Sequence, residues 1–254
     1  MAQPTYTADC LVLNKTKLGE TDLILTCLAA DGQQLRFVAK GARKPSSSFS
    51  SRLELYAVAH VLLARGKSLD ICKEARLVQG NTAIRRSLEK ATAAAPMAQL
   101  LARVSQDGLE NPKLYDMTLA ALECMEHAPD NKSTLLCAAH LLKTFAFCGL
   151  APSLHVCVGC GSTVAEEGGG VRFSFQEGGV VCASCKAHVP AQEVPQALLQ
   201  WADLLLHTRF ADIAQLQANA QVESALLALC QSWNQAHLGS PLKALDFLIT
   251  FAQP

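Results

Sequence analysis

The sequence has no net charge and few aromatic residues, and it contains no long hydrophobic run. Its 254 residues hold 22 Lys and Arg against 22 Asp and Glu, and only 6% of them are aromatic. A neutral chain of this kind is neither a uniformly basic coat protein nor a chain with a long acidic tail. No uncharged apolar run approaches the ~18 residues of a membrane span, and the first residues do not resemble a signal peptide. We therefore expect a cytoplasmic protein with no membrane partner.

The sequence also lacks the short motifs of common enzymes. It contains no G-x-S-x-G, H-E-x-x-H or G-x-G-x-x-G, and its carboxylates form no cluster suited to two-metal chemistry. Gly66-Lys67-Ser68 resembles the end of a phosphate-binding loop, but Val61 stands where that motif requires glycine. We therefore predict that the protein is not an enzyme.

The composition is that of a folded protein with an uneven distribution of charge. Half of the residues are hydrophobic and 17% are charged, which suffices for a buried core. The length predicts one large domain or two modest ones. Residues 1–90 hold 14 Lys and Arg against 8 Asp and Glu, whereas residues 91–254 hold 8 against 14. This asymmetry indicates that the first part binds a polyanion such as nucleic acid.

The first 80 residues show the alternation and turn signals of β-structure. An Asp-Gly turn signal at Ala30–Gln33 separates the second and third of five predicted strands. The strands are Thr5–Leu13, Leu23–Leu28, Gln34–Lys40, Leu53–Ala64 and Ser68–Val78. Five strands with one long third connection are typical of an OB-type barrel. An SH3-like barrel and a small sandwich are the alternatives.

Beyond Gly80 the hydrophobic period becomes helical. Apolar stripes at helical spacing run through Met97–Val104, Leu114–Met125, Leu135–Phe145 and Val222–Trp233. Pro195 stands where a first-turn proline would open one more helix, which runs through Leu206. We predict an α+β multidomain protein, with an OB-fold DNA-binding domain at residues 1–80 and an α-helical domain at residues 81–254. Residues 155–188, which are rich in glycine and cysteine, interrupt the helical domain as a zinc-ribbon-like module.

Four of the 11 cysteines have the spacing of a zinc site. Cys157 and Cys160 form one C-x2-C pair, and Cys182 and Cys185 form a second pair after 21 intervening residues. Two such pairs supply the four thiolates of a tetrahedral Zn²⁺ and leave no position for water, so we predict one structural zinc ion per chain. A Cys₃His site that uses His155 or His188 is one alternative, and a Cys-dependent redox or nuclease enzyme is another.

Basic residues are concentrated on the predicted barrel. Lys40, Arg43 and Lys44 begin the long third connection, and the predicted DNA-contacting set also includes Lys15, Lys17, Arg36, Arg65 and Lys67. Such groups bind phosphate backbones through charge and counterion release. Because few aromatic side chains are available for stacking on bases, we expect weak sequence preference and strong salt dependence. A solvated loop without a ligand is the alternative for a basic cluster taken by itself.

Two barrel segments, Leu18–Thr26 and Val38–Pro45, are considered together with both cysteine pairs. By these motifs the chain resembles the bacterial RecO family of DNA repair and recombination mediators. Leu18–Thr26 is similar to the G-E-x-D segment of that family, and Val38–Pro45 is similar to its K-G-A-R loop. The two cysteine pairs are similar to those of the zinc-bearing members. The order of barrel, helical region and cysteine insertion agrees with the domains predicted above.

The resemblance implies a non-enzymatic, nucleoid-associated mediator. RecO-like proteins bind single- and double-stranded DNA, anneal complementary strands, and work with RecR to help RecA displace single-strand-binding protein (SSB). By this resemblance, Lys40, Arg43 and Lys44 contact DNA, and the four cysteines bind zinc.

Family members also bind the acidic C-terminal tail of SSB, in some cases through the helical domain. No motif identifies that pocket here, so Lys132 or Lys143, beside Leu135, Leu142 and Phe145, is only a first suggestion. An RNA-binding OB-fold protein is the alternative function.

Overall fold

The structure is a computed structural model and describes residues 4–164 and 170–251. The first three residues, on which the expectation of no signal peptide partly depends, lie outside the described residues. The chain forms two compact units, Met1–His127 and Ala128–Pro254. The predicted domain boundary at residue 80 stays a prediction. It coincides with the end of the barrel, while the next three helices belong to the first unit.

The first unit begins with a closed five-stranded barrel. Its strands are β1 (Thr5–Leu18), β2 (Asp22–Ala29), β3 (Gln34–Ala39), β4 (Val58–Ala64) and β5 (Asp70–Gln79). They follow the order β1-β2-β3-β5-β4, and β4 pairs with β1 to close the barrel. All strand pairs are antiparallel except β3 and β5. This arrangement is that of an OB-type barrel and confirms the predicted fold.

Alternate residues of the strands fill the barrel, as the twofold period of a strand requires. Leu25, Phe37 and Leu63 are completely buried in this core, together with the thiols of Cys10 and Cys27. Burial raises the pKa of the Cys27 thiol well above its usual value. These barrel cysteines therefore act as small hydrophobic residues, as the sequence predicts.

Two strand boundaries differ from the predictions by more than two residues. β1 continues past residue 13 to Leu18 because its last residues pair with the first residues of β2 in a long hairpin. β4 begins at Val58 and not at residue 53, because Tyr56 has a φ of 66°, outside the range of strands. The segment before β4 is therefore a turn, although Leu53 and Ala57 in it are buried.

Three helices complete the first unit: α1 (Thr82–Arg86), α2 (Leu88–Val104) and α3 (Pro112–His127). The side chain of Ser87 caps α2 by accepting a hydrogen bond from the Lys90 N–H. α2 packs against β1 and β2 through a buried face that includes Met97 and Leu101. The two helices predicted from the stripes in this region are thus confirmed, whereas the short α1 was not predicted.

The second unit combines helices with a small sheet. Its elements are α4 (Ser133–Phe147), β6 (Gly170–Ser174), β7 (Gly179–Val180), β8 (Gln192–Pro195), α5 (Gln196–His207), α6 (Phe210–Ile213), α7 (Ala220–Leu238) and α8 (Lys243–Phe251). The predicted helices α4, α5 and α7 are confirmed, and the shorter α6 and α8 were not predicted. The sheet has the order β7-β6-β8. Among the described residues, no helix has both the length and the hydropathy to cross a membrane.

Candidate metal centre and nucleic-acid interface

The four predicted zinc ligands converge in the second unit. The Sγ atoms of Cys157, Cys160, Cys182 and Cys185 all lie within 4.8 Å of one another, and those of Cys160 and Cys182 are 3.6 Å apart. Four sulfurs around one tetrahedral Zn²⁺, at about 2.3 Å each, would be separated by about 3.8 Å. Because a disulfide bond measures only about 2.05 Å, the spacing fits ligands that share one metal ion.

Backbone N–H groups point at the most buried of these sulfurs. The N–H groups of Cys182 and Gly159 donate to Cys157 Sγ at 3.3 and 3.4 Å. These bonds, first that of Cys182, lower the pKa of the Cys157 thiol to about 6. By contrast, hydrogen bonds with the Cys160 and Cys182 thiols raise the pKa of Cys185 to about 12. Four thiolates this close repel one another, so a bound cation is what allows all four to ionise.

The cysteine module is attached to the helical core by aromatic packing. The rings of Phe173 and Phe175 lie 5.9 and 6.5 Å from the ring of Trp233 on α7. The Trp233 indole N–H donates to the carbonyl of Leu150 at 3.0 Å, just before the first cysteine pair. At Gly159, an added Cβ would lie 3.1 Å from Cys185 Sγ, so the close approach of the two pairs favours glycine there.

The histidines beside the cysteines do not join the cluster. His155 Nε2 lies 3.1 Å from a carboxylate oxygen of Asp203 on α5. Within the described residues, the four cysteines are the only group of three or more side chains with metal-binding geometry. The arrangement therefore supports the Cys₄ set and not the Cys₃His alternative.

The two barrel segments that resemble the RecO family meet at one end of the barrel. The Asp22 carboxylate accepts hydrogen bonds from the Gly41 N–H at 2.7 Å and the Thr21 hydroxyl at 2.9 Å. The Arg43 guanidinium donates to the carbonyls of Gly19 and Glu20, at 3.2 and 2.7 Å. These contacts join the β1–β2 turn to the start of the β3–β4 connection, residues 40–57. We call this region the hairpin end of the barrel.

Positive charge surrounds the hairpin end. Lys17 precedes the β1–β2 turn, and Lys40 and Lys44 lie exposed on the connection that Asp22 and Arg43 hold. The pKa of the Asp22 carboxyl is held below its usual value, first by the Gly41 hydrogen bond and then by Thr21, with a further contribution from the nearby lysines. Lys15 differs from the others because its ammonium forms an ion pair with Glu54 at 2.9 Å.

The other three predicted DNA contacts lie toward the opposite end of the barrel. Because β2 pairs antiparallel with both β1 and β3, β3 begins at the end of the barrel away from the β1–β2 turn. The β4–β5 turn lies at that same end. Arg36 and Arg65 line one cavity of about 420 Å³, and Lys67 lies exposed in the turn. The Arg65 guanidinium stacks 4.1 Å from the Tyr6 ring centroid and lies 3.4 Å from Asp70. The structure thus divides the eight predicted residues into two groups and does not form a single patch.

The two groups flank the surface with which OB folds commonly bind oligonucleotides. In that fold, oligonucleotides bind the outer face of strands 2 and 3 between the loops after strands 1 and 4. Here the first of those loops is the β1–β2 turn, and the second is the turn that carries Arg65 and Lys67. Arg36 is exposed on β3 between them.

Sequence reasoning missed a third basic group on the barrel. Arg52, Lys73 and Arg76 line a cavity of about 420 Å³ over the outer surface of β4 and β5, which we call the β4–β5 groove. These residues are spread over 25 positions of the chain, so no local cluster marks them. The available signal was that Lys73 and Arg76 occupy exposed positions of a predicted strand.

The residues suggested for the SSB tail do not form an open pocket. Leu135, Leu142 and Phe145 are at most 1% exposed. The ammonium groups of Lys132 and Lys143 donate to the carbonyls of Leu216 and Leu206, at 2.6 and 2.7 Å. These contacts do not support the suggestion, because the lysines cap backbone carbonyls inside the second unit.

Comparisons with known proteins agree along the whole chain. The family described as "Recombination protein O N terminal" matches residues 1–81, and the family "Recombination protein O C terminal" matches residues 85–246. A protein of Desulforamulus reducens named "DNA repair protein RecO" is 29% identical over 251 residues, which cover 96% of this chain and 93% of that protein. Proteins of the same name from Gloeobacter violaceus and Desulfitobacterium hafniense are 30% and 33% identical, over 74% and 71% of this chain and 71% and 64% of their own lengths.

Proposed function

This chain belongs to the RecO family, and on that basis we propose that it acts in DNA repair as a non-enzymatic mediator that binds and anneals DNA. The observation that carries the proposal is the junction at the hairpin end. Asp22 and Arg43 hold the β3–β4 connection against the β1–β2 turn, and this keeps Lys17, Lys40 and Lys44 together on the barrel surface.

The chemistry of this surface suits a phosphate backbone. Ammonium groups on an exposed loop replace the counterions of DNA and gain free energy when those ions are released. Two strands whose charge is partly neutralised repel each other less, so complementary bases pair without any chemical step. Arg36, Arg65 and Lys67 extend this contact along the OB face, and Lys15 contributes less because Glu54 offsets its charge.

Arg43 has a double role in the proposal. Only its Nη1 atom is engaged with the turn carbonyls, so the other donors of its fork are available to a phosphate. A change at Arg43 therefore affects both the loop conformation and the charge, and a clean test of DNA contact leaves Arg43 in place.

The remaining assignments follow from family membership and the cysteine geometry. We propose that Cys157, Cys160, Cys182 and Cys185 hold one structural Zn²⁺, which would supply no chemical step because its four positions are filled by sulfur. We further propose RecR and the SSB tail as protein partners, RecA as an indirect one, and the cytoplasmic nucleoid as the location. The barrel at residues 1–80 would bind DNA, and the helical part at residues 81–254 would bind protein partners.

The direct test is annealing of complementary oligonucleotides by Lys40→Glu/Lys44→Glu. We expect the variant to lose at least about tenfold in single-strand affinity at low salt and to anneal correspondingly slowly, because two phosphate contacts become repulsive. Lys113→Glu/Lys243→Glu is the matched control, since it makes the same charge change at exposed lysines on α3 and α8.

Equal affinity and equal annealing by the two variants would show that the hairpin end does not carry the DNA contact. Competition by structured RNA at matched ionic strength separates the alternative function. If RNA displaced DNA at equal or lower concentration, an RNA-binding protein would be preferred.

A further inference from the structure

We propose that the β4–β5 groove is a further single-stranded DNA contact, which binds the phosphates of nucleotides that continue beyond the hairpin end. The inference rests on the proposed function. It assigns a DNA-binding role to Arg52, Lys73 and Arg76, which lie outside the OB face between the β1–β2 and β4–β5 turns.

The groove has a floor and a wall from different parts of the barrel. Cross-strand pairing places Thr7, Leu62 and Glu74 in one row of the floor, and His60 beside Arg76 in the next. The β3–β4 connection supplies the wall with Ser48, Phe49 and Arg52. The Arg52 Nη1 atom donates to the Ala75 carbonyl at 3.0 Å, which fixes this wall against β5.

The charges in the groove favour an anion. Three cationic side chains line it, against the single carboxylate of Glu74. The Asp9 carboxylate at its margin is already engaged by His60 Nδ1 at 2.8 Å. Lys73 and Arg76 are exposed. The net positive charge therefore matches a polyanion that approaches from solvent.

The groove also offers surface for a base. Phe49 and Leu62 line it and are only partly buried, and a base stacked on an aromatic ring contributes about 1–3 kcal/mol in single-strand complexes. Its volume of about 420 Å³ lies within the range of small-ligand sites. This mixture of cations and one ring is typical of single-strand binding without sequence preference.

The groove is continuous with the hairpin end through the chain itself. The same β3–β4 connection begins with Lys40 and Lys44 and leads to Arg52. It is ordered by successive turn hydrogen bonds, which run from Lys44 N–H to Gly41 O, from Ser47 N–H to Lys44 O, and from Arg52 N–H to Phe49 O, at 3.0, 3.0 and 3.1 Å. This ordered connection thus links the lysines at its start to Arg52 in the wall of the groove.

The experiment compares three charge-reversed full-length proteins on a 40-nucleotide oligo-dT across a salt series. They are Lys73→Glu/Arg76→Glu in the groove, Lys40→Glu/Lys44→Glu at the hairpin end, and Lys113→Glu/Lys243→Glu as the control. We expect the groove variant to bind at least about fivefold more weakly than the control at about 50 mM salt. Its log–log salt slope should be shallower by about 1.4, because about 0.7 is lost for each phosphate contact on a single strand.

The outcomes separate the inference from the function on which it rests. If the groove variant binds like the control while the hairpin-end variant is weakened, the inference is overturned and the proposed function stands. If both bind like the control, the proposed function fails as well. If the groove variant keeps its DNA affinity but no longer binds an Asp-rich peptide, the groove is a peptide site and the inference is again overturned.

A milder variant distinguishes the loss of a DNA contact from misfolding of the protein. Lys73→Gln/Arg76→Gln removes the charges without adding carboxylates beside Glu74, and its thermal unfolding should match that of the unmodified protein. We expect a two- to threefold loss of affinity with a shallower salt slope, and an unchanged slope would overturn the inference.

Discussion

Asp22 connects two turns of the barrel that are distant in sequence. Its carboxylate accepts the N–H of Gly41, 19 residues away, and the hydroxyl of its neighbour Thr21. Because hydrogen bonds to the charged form favour ionisation, the pKa of this carboxyl lies below its usual value of about 3.9. An acidic residue beside a basic loop thus fixes the conformation of that loop through hydrogen bonds, in addition to offsetting part of its positive charge.

The depressed pKa of Asp22 predicts a pH dependence of stability. The stabilising contribution of the carboxylate is present above about pH 3.9 and is lost as the pH falls through the lower pKa of the folded state. We expect Asp22→Asn to lower the free energy of unfolding at pH 6 and to have a smaller effect at pH 3, because below about pH 3.9 the unfolded-state carboxyl binds a proton and the stabilising contribution of the wild-type carboxylate declines. Urea unfolding at both pH values measures this difference.

Asp31→Asn is the control for that experiment, since Asp31 is an exposed turn carboxylate on the same barrel that bonds only to Gln33 of its own turn. A difference between wild type and Asp22→Asn that stayed constant from pH 6 to pH 3 would contradict an ionised Asp22 in the junction.

At the scale of elements, the cysteine module is a small sheet and two tight turns that bring four sulfurs together. β6 and β7 form a hairpin of only a few residues, reversed at Gly178 with a φ of 87°. A sheet of this size buries little surface of its own. The aromatic contact with α7 therefore adds to its stability, and the proposed zinc ion would add more by joining the two cysteine turns.

Cys157→Ser tests the role of the ion in this element. We expect bound zinc to fall from about one per chain to well under 0.5, because Cys157 is the most buried ligand and the one with two backbone N–H donors. We also expect thermal unfolding at a lower temperature, with DNA affinity changed by less than about threefold. Metal analysis, calorimetry and oligonucleotide titration measure the three quantities.

Cys148→Ser is the matched control, since Cys148 lies at the end of α4 outside the cluster and should leave the zinc content unchanged. Loss of DNA binding by Cys157→Ser at unchanged stability would contradict a structural ion and would indicate that the module contacts DNA directly.

At the scale of the whole molecule, zero net charge conceals the distribution that matters for binding. Basic residues predominate in the first 90 positions and acidic residues in the remainder. A DNA strand responds mainly to charges within about a Debye length, so the local distribution of charge matters more than the total. The same acidic excess opposes an acidic SSB tail, and a local basic pocket would have to overcome it.

This distribution predicts strong salt dependence in a formally neutral protein. With about five phosphate contacts on a single strand, raising the salt from about 50 to about 200 mM should weaken binding by about 100-fold. Fluorescence anisotropy of a labelled oligo-dT measures the slope. A change below about threefold would mean that base stacking, and not backbone charge, dominates the contact.

The sequence by itself determined the barrel, the main helices and the cluster of four cysteines. Strand alternation and helical stripes are local patterns, and burial of one face follows directly from them. The C-x2-C pairs are equally local, because each pair occupies a single turn, and they predicted a cluster that the structure confirms. For these features the physical cause lies within a few residues of chain.

Only the tertiary structure decided which charges are available to a ligand. Lys15 is paired with Glu54, Arg43 is partly used by the β1–β2 turn, and Lys132 and Lys143 cap buried carbonyls. The β4–β5 groove likewise forms only because closure of the barrel places β5 against the β3–β4 connection. That connection ends more than ten residues earlier in the sequence than β5 begins. Such arrangements depend on register and on long-range hydrogen bonds, which link residues that no local pattern relates.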